Sequence, residues 1–248
     1  MKNAVRFPAS DFQTSPWLRV ATYNVHRCIG ADGRYDLERI AGNIRSLDVD
    51  LVGLQEVDSG YWMGDGPDQL AILARETGMK SVAGPTLTSA PGHYGNAVLT
   101  RLPVIGVQRH DISVSRKEPR GILVVTVEVK NQSVRFLTTH LGLNYRERYE
   151  QTKKLCQIAE REQHPIIAVG DFNEWLPISP ASRRLARCFK TVICPRSYPS
   201  RFPIFSLDRV YTSFGTDQII NRTDSPNVKS VASDHLPVSV SFYHKCLF

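Results

Sequence analysis

Short apolar runs, each ending against a polar residue, recur along the chain. Leu18 to Tyr23 alternates well enough for a strand and leads into Asn24. Leu51 to Leu54 is a continuous run that delivers Gln55 and Glu56. A strand-like run from Ala97 to Leu99 follows the HYGN segment, which contains Asn96. Val104 to Val107, Ile122 to Val129 and Val134 to Thr138 are rich in β-branched residues and separated by turn-like or charged segments, which predicts an antiparallel or mixed sheet. The last of these ends at His140. Ile166 to Val169 suits a strand covered on both faces; Gly170 closes it, and Asp171 and Asn173 follow. Leu207 to Tyr211 begins a strand that carries Asp208, and Leu236 to Phe242 is a final strand preceded by Ser233, Asp234 and His235.

Between these runs the period changes to that of helices. Leu37, Ile40, Ile44 and Leu47 have helical spacing behind Asp36, a good N-cap, and Tyr35 is placed to staple onto Ile40. Gln69 to Thr77 reads as a helix closed by Gly78. Arg146 to Arg161 is charged, with a narrow apolar stripe of Tyr149, Leu155, Ile158 and Ala159. Ser179 and Pro180 open a short helix to about Arg187, and the proline-rich stretch after it reads as an ordered loop. Residues 1–16 look like a loosely held lead-in, and with no repeat or linker the expectation is one α/β domain over 1–248.

The composition, 42% hydrophobic and 22% charged, is that of an ordinary globular chain, so disorder is not expected. An excess of 31 Lys and Arg over 24 Asp and Glu gives a net charge of +7, which favours polyanionic partners without separating nucleic acid from anionic lipid. Five cysteines without a C-x-x-C pair argue against a disulfide framework or a thiolate zinc site. With no apolar signal core, the reading is a cytoplasmic protein in a reducing compartment, with a membrane surface as a peripheral contact. Nothing in the chain implies a protein partner.

The polar residues bordering the runs are Asn24, Glu56, His140, Asp171, Asn173, Asp208, Asp234 and His235. Singly, each has a structural explanation: Asp and Asn are common turn formers, and a histidine beside a strand is more often hydrogen-bonded than catalytic. Together they place carboxylates, carboxamides and imidazoles at the ends of sheet strands, which in such folds commonly meet on one rim. An oxygen-rich set suits Mg²⁺ or Mn²⁺ better than zinc, because hard cations prefer carboxylates, carbonyls and water. The matching substrate is a phosphoester, whose hydrolysis needs an aligned water, charge on the phosphoryl oxygens and help for the leaving oxygen.

The motifs TYNVH, LQEV, TTHLG, GDFNEW, LDRVY and SDHLP occur in this order from about Tyr23 to Pro237. On them the chain resembles the endonuclease/exonuclease/phosphatase superfamily, in the manner of a small bacterial member. The resemblance implies a deoxyribonuclease I-like fold, a four-layered α/β sandwich of two packed mixed sheets flanked by helices, with the site at one edge of the sheets. It makes Asn24, Glu56 and Asp234 ligands or close neighbours of the metal. Asp171 would orient or deprotonate water, Asn173 would hold the water or the phosphate, and His140 would contact the phosphoryl group. Asp208 would pair with His235 and fix its tautomer, and the general base is assigned jointly to His235 and Asp171. Arg120 and Asn96 are candidate substrate contacts, against surface solvation for the one and a turn before a strand for the other.

The substrate is the open question. The segment between Glu174 and Asp208 has no acid but carries Arg183, Arg184, Arg187, Lys190, Arg196 and Arg201, interleaved with Phe189, Tyr198, Phe202 and Phe205. Lying between two motifs, it is expected to border the cleft, where it would stack single-stranded bases or rest on lipid headgroups; the alternative is aromatics in the core and cations on a solvated face. The expectation is a phosphodiesterase for nucleic acid or phospholipid. Its rival is a non-catalytic protein that binds polyanions or a membrane surface with the same basic face.

Overall fold

The computed structural model describes residues 15–62, 66–176, 178–215, 219–221 and 228–247. Most of the expected lead-in, residues 1–14, lies outside them. Twelve strands among these residues form two six-stranded sheets. The first contains β1 (Trp17–Asn24), β2 (Leu51–Ser59), β3 (Lys80–Thr88), β4 (His93–Thr100), β11 (Ile219–Asn221) and β12 (Val238–Tyr243), in the order β11-β12-β1-β2-β4-β3. The second contains β5 (Val104–Asp111), β6 (Gly121–Val129), β7 (Gln132–His140), β8 (Ile166–Asp171), β9 (Thr191–Ile193) and β10 (Asp208–Thr212), in the order β5-β6-β7-β8-β10-β9. Each sheet has one parallel pair at its centre, β1 with β2 and β7 with β8, and antiparallel neighbours elsewhere.

The alternation of the strands explains the layering. One face of each sheet meets the other sheet in a dry core that includes Val20, Leu51, Val125, Phe136, Ile167, Val169 and Val240. Fully burying a side chain such as Val169 contributes about 1.5–3 kcal/mol. The sheets approach so closely that a Cβ on Gly53 would lie 2.6 Å from Val169 Cγ2. The outer face of the first sheet is covered by α1 (Leu37–Leu47) and α2 (Gln69–Thr77), through Ile40, Ile44, Leu70 and Leu73. The second sheet is covered by α3 (Tyr145–Glu160) and α4 (Pro180–Cys188), through Leu155, Cys156 and Leu185. The result is the four-layered α/β sandwich.

The helix ends follow from local chemistry. Asp36 accepts the Arg39 N–H at 3.1 Å, Asp68 accepts that of Ala71 at 3.1 Å, and Ser179 forms a capping box with Ser182 ahead of Pro180. Gly78 ends α2 in the left-handed region, as expected. Tyr35 behaves differently from the staple reading: it bridges to Ile29 and stays 39% exposed.

Three strands escape the apolar pattern. β3 contains Gly84 and Pro85 and lies on a sheet edge, where a proline costs no ladder bond; β9 and β11 span three residues each. β2 also runs on past the expected end at Leu54. It pairs Leu54 with Ala97 and then Val57 with Gly95, so one extra residue is bulged out at Gln55–Glu56. A second bulge lies on the other side of β4, between Pro85 and Leu87 of β3.

Candidate active site

The two parallel pairs bring their C-terminal ends to the same edge of the sandwich. Asn24 ends β1, the bulge at Glu56 lies beside it in β2, and His140 and Asp171 end β7 and β8. β10 runs the other way and begins there, with Asp208 paired to Asp171, which is in turn paired to His140. Three chemical groups on adjacent strands are thus held in register by the ladder. The loop before β12 supplies Asp234 and His235, and the residues surround a cleft of about 330 Å³ that Arg27, Glu56, Arg120, His140, Asp171 and Asp234 help to line.

Local backbone geometry sets the aim of the key side chains. Gly170 has φ +153°, and a Cβ there would lie 2.0 Å from the Thr139 carbonyl oxygen, so only glycine lets the strand deliver Asp171 at this angle. Asn173 is left-handed at φ +48°, and its N–H donates to Asp171 Oδ1 at 2.9 Å. The pair therefore converges through an Asx-type turn, not by sharing one face of an extended strand. Glu56 also has positive φ, +58°, an unusual conformation for glutamate that the bulge imposes.

Asp171 is the hub. Its Oδ2 accepts from Asn24 Nδ2 at 3.1 Å, and it lies 3.5 Å from His140 Nε2 and 3.7 Å from His235 Nε2. Burial pushes the Asp171 carboxyl up to about 6, against the opposing pull of the His235 charge. Asn24 Nδ2 also donates to Glu56 Oε1 at 3.0 Å, and the Ser233 hydroxyl donates to the Asn24 carbonyl at 2.8 Å, which ties the loop of Asp234 to β1.

The two imidazoles differ in their partners. Arg120 Nη1 lies 3.0 Å from His140 Nδ1, and a guanidinium only donates, so Nδ1 accepts; Nε2 lies 3.0 Å from Asn173 Nδ2 and 3.5 Å from Asp171 Oδ2. Burial and the Arg120 and His235 charges hold His140 well below the usual histidine range. His235 Nδ1 sits 2.7 Å from Asp208 Oδ2. Burial opposes its protonation, but the Asp208, Asp171 and Asp234 carboxylates overcome this and push it up to about 10.

Two groups of donors present themselves to a cation. Asp171, Asp208 and His235 offer atoms within 4.8 Å of one another. In that group the imidazole Nδ1 is already bonded to Asp208 Oδ2 at 2.7 Å, and Nε2 lies 3.7 Å from Asp171 Oδ2. Glu56 and Asp234 instead line the cleft; Asn24 turns its Nδ2 toward Glu56 Oε1 and its Oδ1 to the His26 N–H, so the two carboxylates are the oxygen donors this side offers a hard divalent cation.

Two further candidates are buried, and Arg120 also lines the cleft. Arg120 is buried, bonded to His140 and 3.3 Å from Glu118. Asn96 is buried and donates to the Gly121 carbonyl at 3.0 Å, which clamps β4 to the first residue of β6 across the sheets. It is not among the residues lining the cleft.

The acid-free segment divides. Trp175, Tyr198 and Leu207 line the cleft, and the Tyr198 ring lies 4.8 Å from that of His235. Arg183, Arg184 and Arg187 instead line a separate groove with Lys153, between α3 and α4, and Phe189 is core. Helical periodicity turns those arginines outward, away from the expected cleft border.

Apolar patterning also misses a polar layer that supports the site. The N-terminal half of α3 buries Glu147, Arg148, Gln151 and Thr152, whereas the expected stripe residue Tyr149 is 37% exposed. Gln151 Oε1 accepts the Gly142 N–H at 2.8 Å, and Arg148 Nε lies 3.5 Å from Glu174 Oε2, so the loops after His140 and Asn173 share one anchor. The signal for it is a helix with too few apolar residues beside two motif loops.

Comparison with known proteins agrees with this architecture. The model of the Endonuclease/Exonuclease/phosphatase family matches residues 21–235. The chain is 25% identical over 244 residues to "Uncharacterized protein YbhP" of Escherichia coli K12, covering 91% of this chain and 96% of that one. A mannosyl-6-phosphatase of Bacteroides thetaiotaomicron superposes with TM-score 0.69 at 16% identity, covering 90% of this chain and 98% of that one. The human Nocturnin catalytic domain, with a bound sulfate anion, gives TM-score 0.68 at 20% identity, covering 92% and 94%.

Proposed function

The chain belongs to the endonuclease/exonuclease/phosphatase family, and on that premise we propose that it is a Mg²⁺- or Mn²⁺-dependent phosphodiesterase acting on nucleic acid or phospholipid. The observation that carries the reading is the convergence on Asp171 Oδ2, reached by Asn24 at 3.1 Å, His140 at 3.5 Å and His235 at 3.7 Å from separated segments of the chain. Binding a polyanion does not call for a buried carboxylate between two imidazoles; moving a proton does.

With Asn24 as a close neighbour, Glu56 and Asp234 would hold the ion, which supplies charge neutralisation at a phosphoryl oxygen and a lower pKa for bound water. In this reading Asp171, of the two groups among which the sequence leaves the general base, takes the proton of the attacking water, because His235 is already protonated. Burial that moves the Asp171 pKa toward neutrality makes it a better base, and His235, pressed against Asp208, carries a positive charge beside the phosphoryl group. His140 and Asn173, whose side chains meet at 3.0 Å, would flank a phosphoryl oxygen, and Arg120 donates to His140 Nδ1 and so positions its ring. One P–O bond forms to water, whose proton goes to Asp171, one breaks to the leaving group, and the leaving oxygen takes the Nε2 proton of His235.

Hydrolysis of a bis-aryl phosphodiester with Mg²⁺ or Mn²⁺ tests the proposal, comparing wild type with Asp171→Ala. Activity in the wild type and its loss in the variant is the expected result. No activity with either metal, or equal activity in both proteins, would leave the polyanion-binding reading in its place.

A further inference from the structure

The exposed apolar side chains of this protein are not scattered. Trp62, Leu143, Leu176, Ile178, Phe202 and Ile204 range from 58% exposed at Trp62 to 81% at Phe202. All six either line the cleft or lie within a few residues of a side chain that does. Trp62 and Leu143 line it directly. Leu176 and Ile178 follow Trp175, which also lines it and packs edge-on against Tyr198 and Phe205, with ring centroids 5.7 and 4.9 Å away. Phe202 and Ile204 sit in a tight loop springing from cleft-lining Tyr198: the Phe202 N–H donates to the Pro199 carbonyl at 3.1 Å and the Ile204 N–H to the Tyr198 carbonyl at 2.9 Å. Exposed apolar groups gathered around a functional opening mark an interaction surface, whereas single ones such as Ile105 and Val192 on edge strands need no explanation.

Charge is distributed to match. Arg146 lies three residues after Leu143, and Arg196 and Arg201 flank Tyr198; all three are exposed. The whole chain carries +7.

We propose that the mouth of the cleft docks on an anionic lipid bilayer, with the six apolar side chains entering the headgroup and acyl boundary and Arg146, Arg196 and Arg201 resting on lipid phosphates. The phosphodiester presented to Asp171 is then that of a membrane phospholipid. This choice rests on the phosphodiesterase reading above and sharpens it. Four of the six, Leu143, Leu176, Ile178 and Ile204, are aliphatic and offer no ring face, so they suit acyl chains and not stacked bases. A protein partner or a second copy of the chain seated on these residues would close the cleft to substrate, while a bilayer is itself a source of it.

Flotation with vesicles separates these cases, run in EDTA so that no turnover contributes. Wild type is expected to float with vesicles containing phosphatidylglycerol, and weakly with pure phosphatidylcholine. The quadruple variant Leu176→Ser, Ile178→Ser, Phe202→Ser, Ile204→Ser should bind about tenfold or more less tightly, since each substitution removes an apolar side chain from the interface. Its melting temperature and its hydrolysis of the soluble bis-aryl phosphodiester should stay close to wild type, because all four side chains are exposed. Asp171→Asn should float as wild type does; a wild type that binds vesicles but hydrolyses no phosphodiester would count against the enzyme reading and not against the docking surface. Wild type that ignores anionic vesicles, or a quadruple variant that binds them undiminished, would overturn the proposal. So would a quadruple variant that loses affinity for a single-stranded oligonucleotide while keeping its affinity for vesicles.

Discussion

The two sides of Asp171 are built from the same residue type and work in opposite electrostatic senses. On one side, His140 is paired to a cation, Arg120, at 3.0 Å and is kept neutral. On the other, His235 is paired to an anion, Asp208, at 2.7 Å and is kept charged. Both rings are buried to a similar degree, so the neighbour at Nδ1, not burial, decides the charge. The site thus holds one imidazole neutral and one as a cation at the same pH, which a pair of equivalent histidines could not do.

The largest effect should come from removing the carboxylate the two sides share. Asp171→Asn is expected to lower kcat by about 10³-fold or more, read from initial rates on the bis-aryl phosphodiester. A variant retaining a tenth of wild-type activity would show that the two sides do not act through it. Next in size, Asp208→Asn abolishes the asymmetry from the charged side. His235 should then titrate well below about 10, and kcat should fall roughly 10²-fold with little change in KM. An unchanged His235 titration by NMR would mean that Asp171 and Asp234 suffice to hold the charge.

Arg120→Met attacks the neutral side. Removing the guanidinium should let the His140 pKa rise and weaken substrate binding, with KM up about tenfold and kcat changed less. A drop in kcat with KM intact would place His140 in the proton transfer instead. The smallest effect is on stability, in metal-free protein. His235 has a raised folded pKa, so its contribution is complete below the ordinary histidine value of about 6.5 and is lost as pH rises through about 10. His140 has a lowered one, so keeping it neutral costs stability as pH falls below about 6.5. Relative to wild type, His235→Gln should thus lose its melting-temperature penalty in strong base, while His140→Asn should gain on wild type in mild acid. Shifts of a few degrees are expected, and the same sign for both variants at every pH would break the comparison.

Much of this was legible in the chain before folding. Apolar runs ending in Asn24, His140 and Asp171, and one that carries Asp208 near its start, predict strands that deliver those side chains, and the strands do so. The helix caps at Asp36 and Ser179 were readable because capping is local. What stayed hidden has physical causes. The bulge at Gln55–Glu56 depends on how β2 pairs with β4, a relation between distant segments. The buried polar half of α3 reads as a solvated helix, since pattern analysis credits apolar groups alone with burial. Asn173 posed a choice between turn and function that the fold does not make, because the Asx-type turn is what places its amide. The outward arginines of α4 show the converse, a basic run near a motif whose helical phase leads it elsewhere.

The bulge in β2 has a further consequence. Val52 and Leu54 lie on the outer face of the first sheet, under the helices, and so does Val57, an odd step away. In the language of crystals the extra residue is a dislocation: the lattice is regular on either side, but the two halves are out of phase by one site. Deleting Gln55 or Glu56 would heal the defect and turn Val57, Asp58 and Ser59 over to the opposite faces. Asp58 accepts the N–H groups of Tyr61 at 2.8 Å and Trp62 at 3.3 Å, so the mouth of the cleft would be carried with it. A single-codon deletion at this point should therefore be tolerated far less than one in the loops that follow.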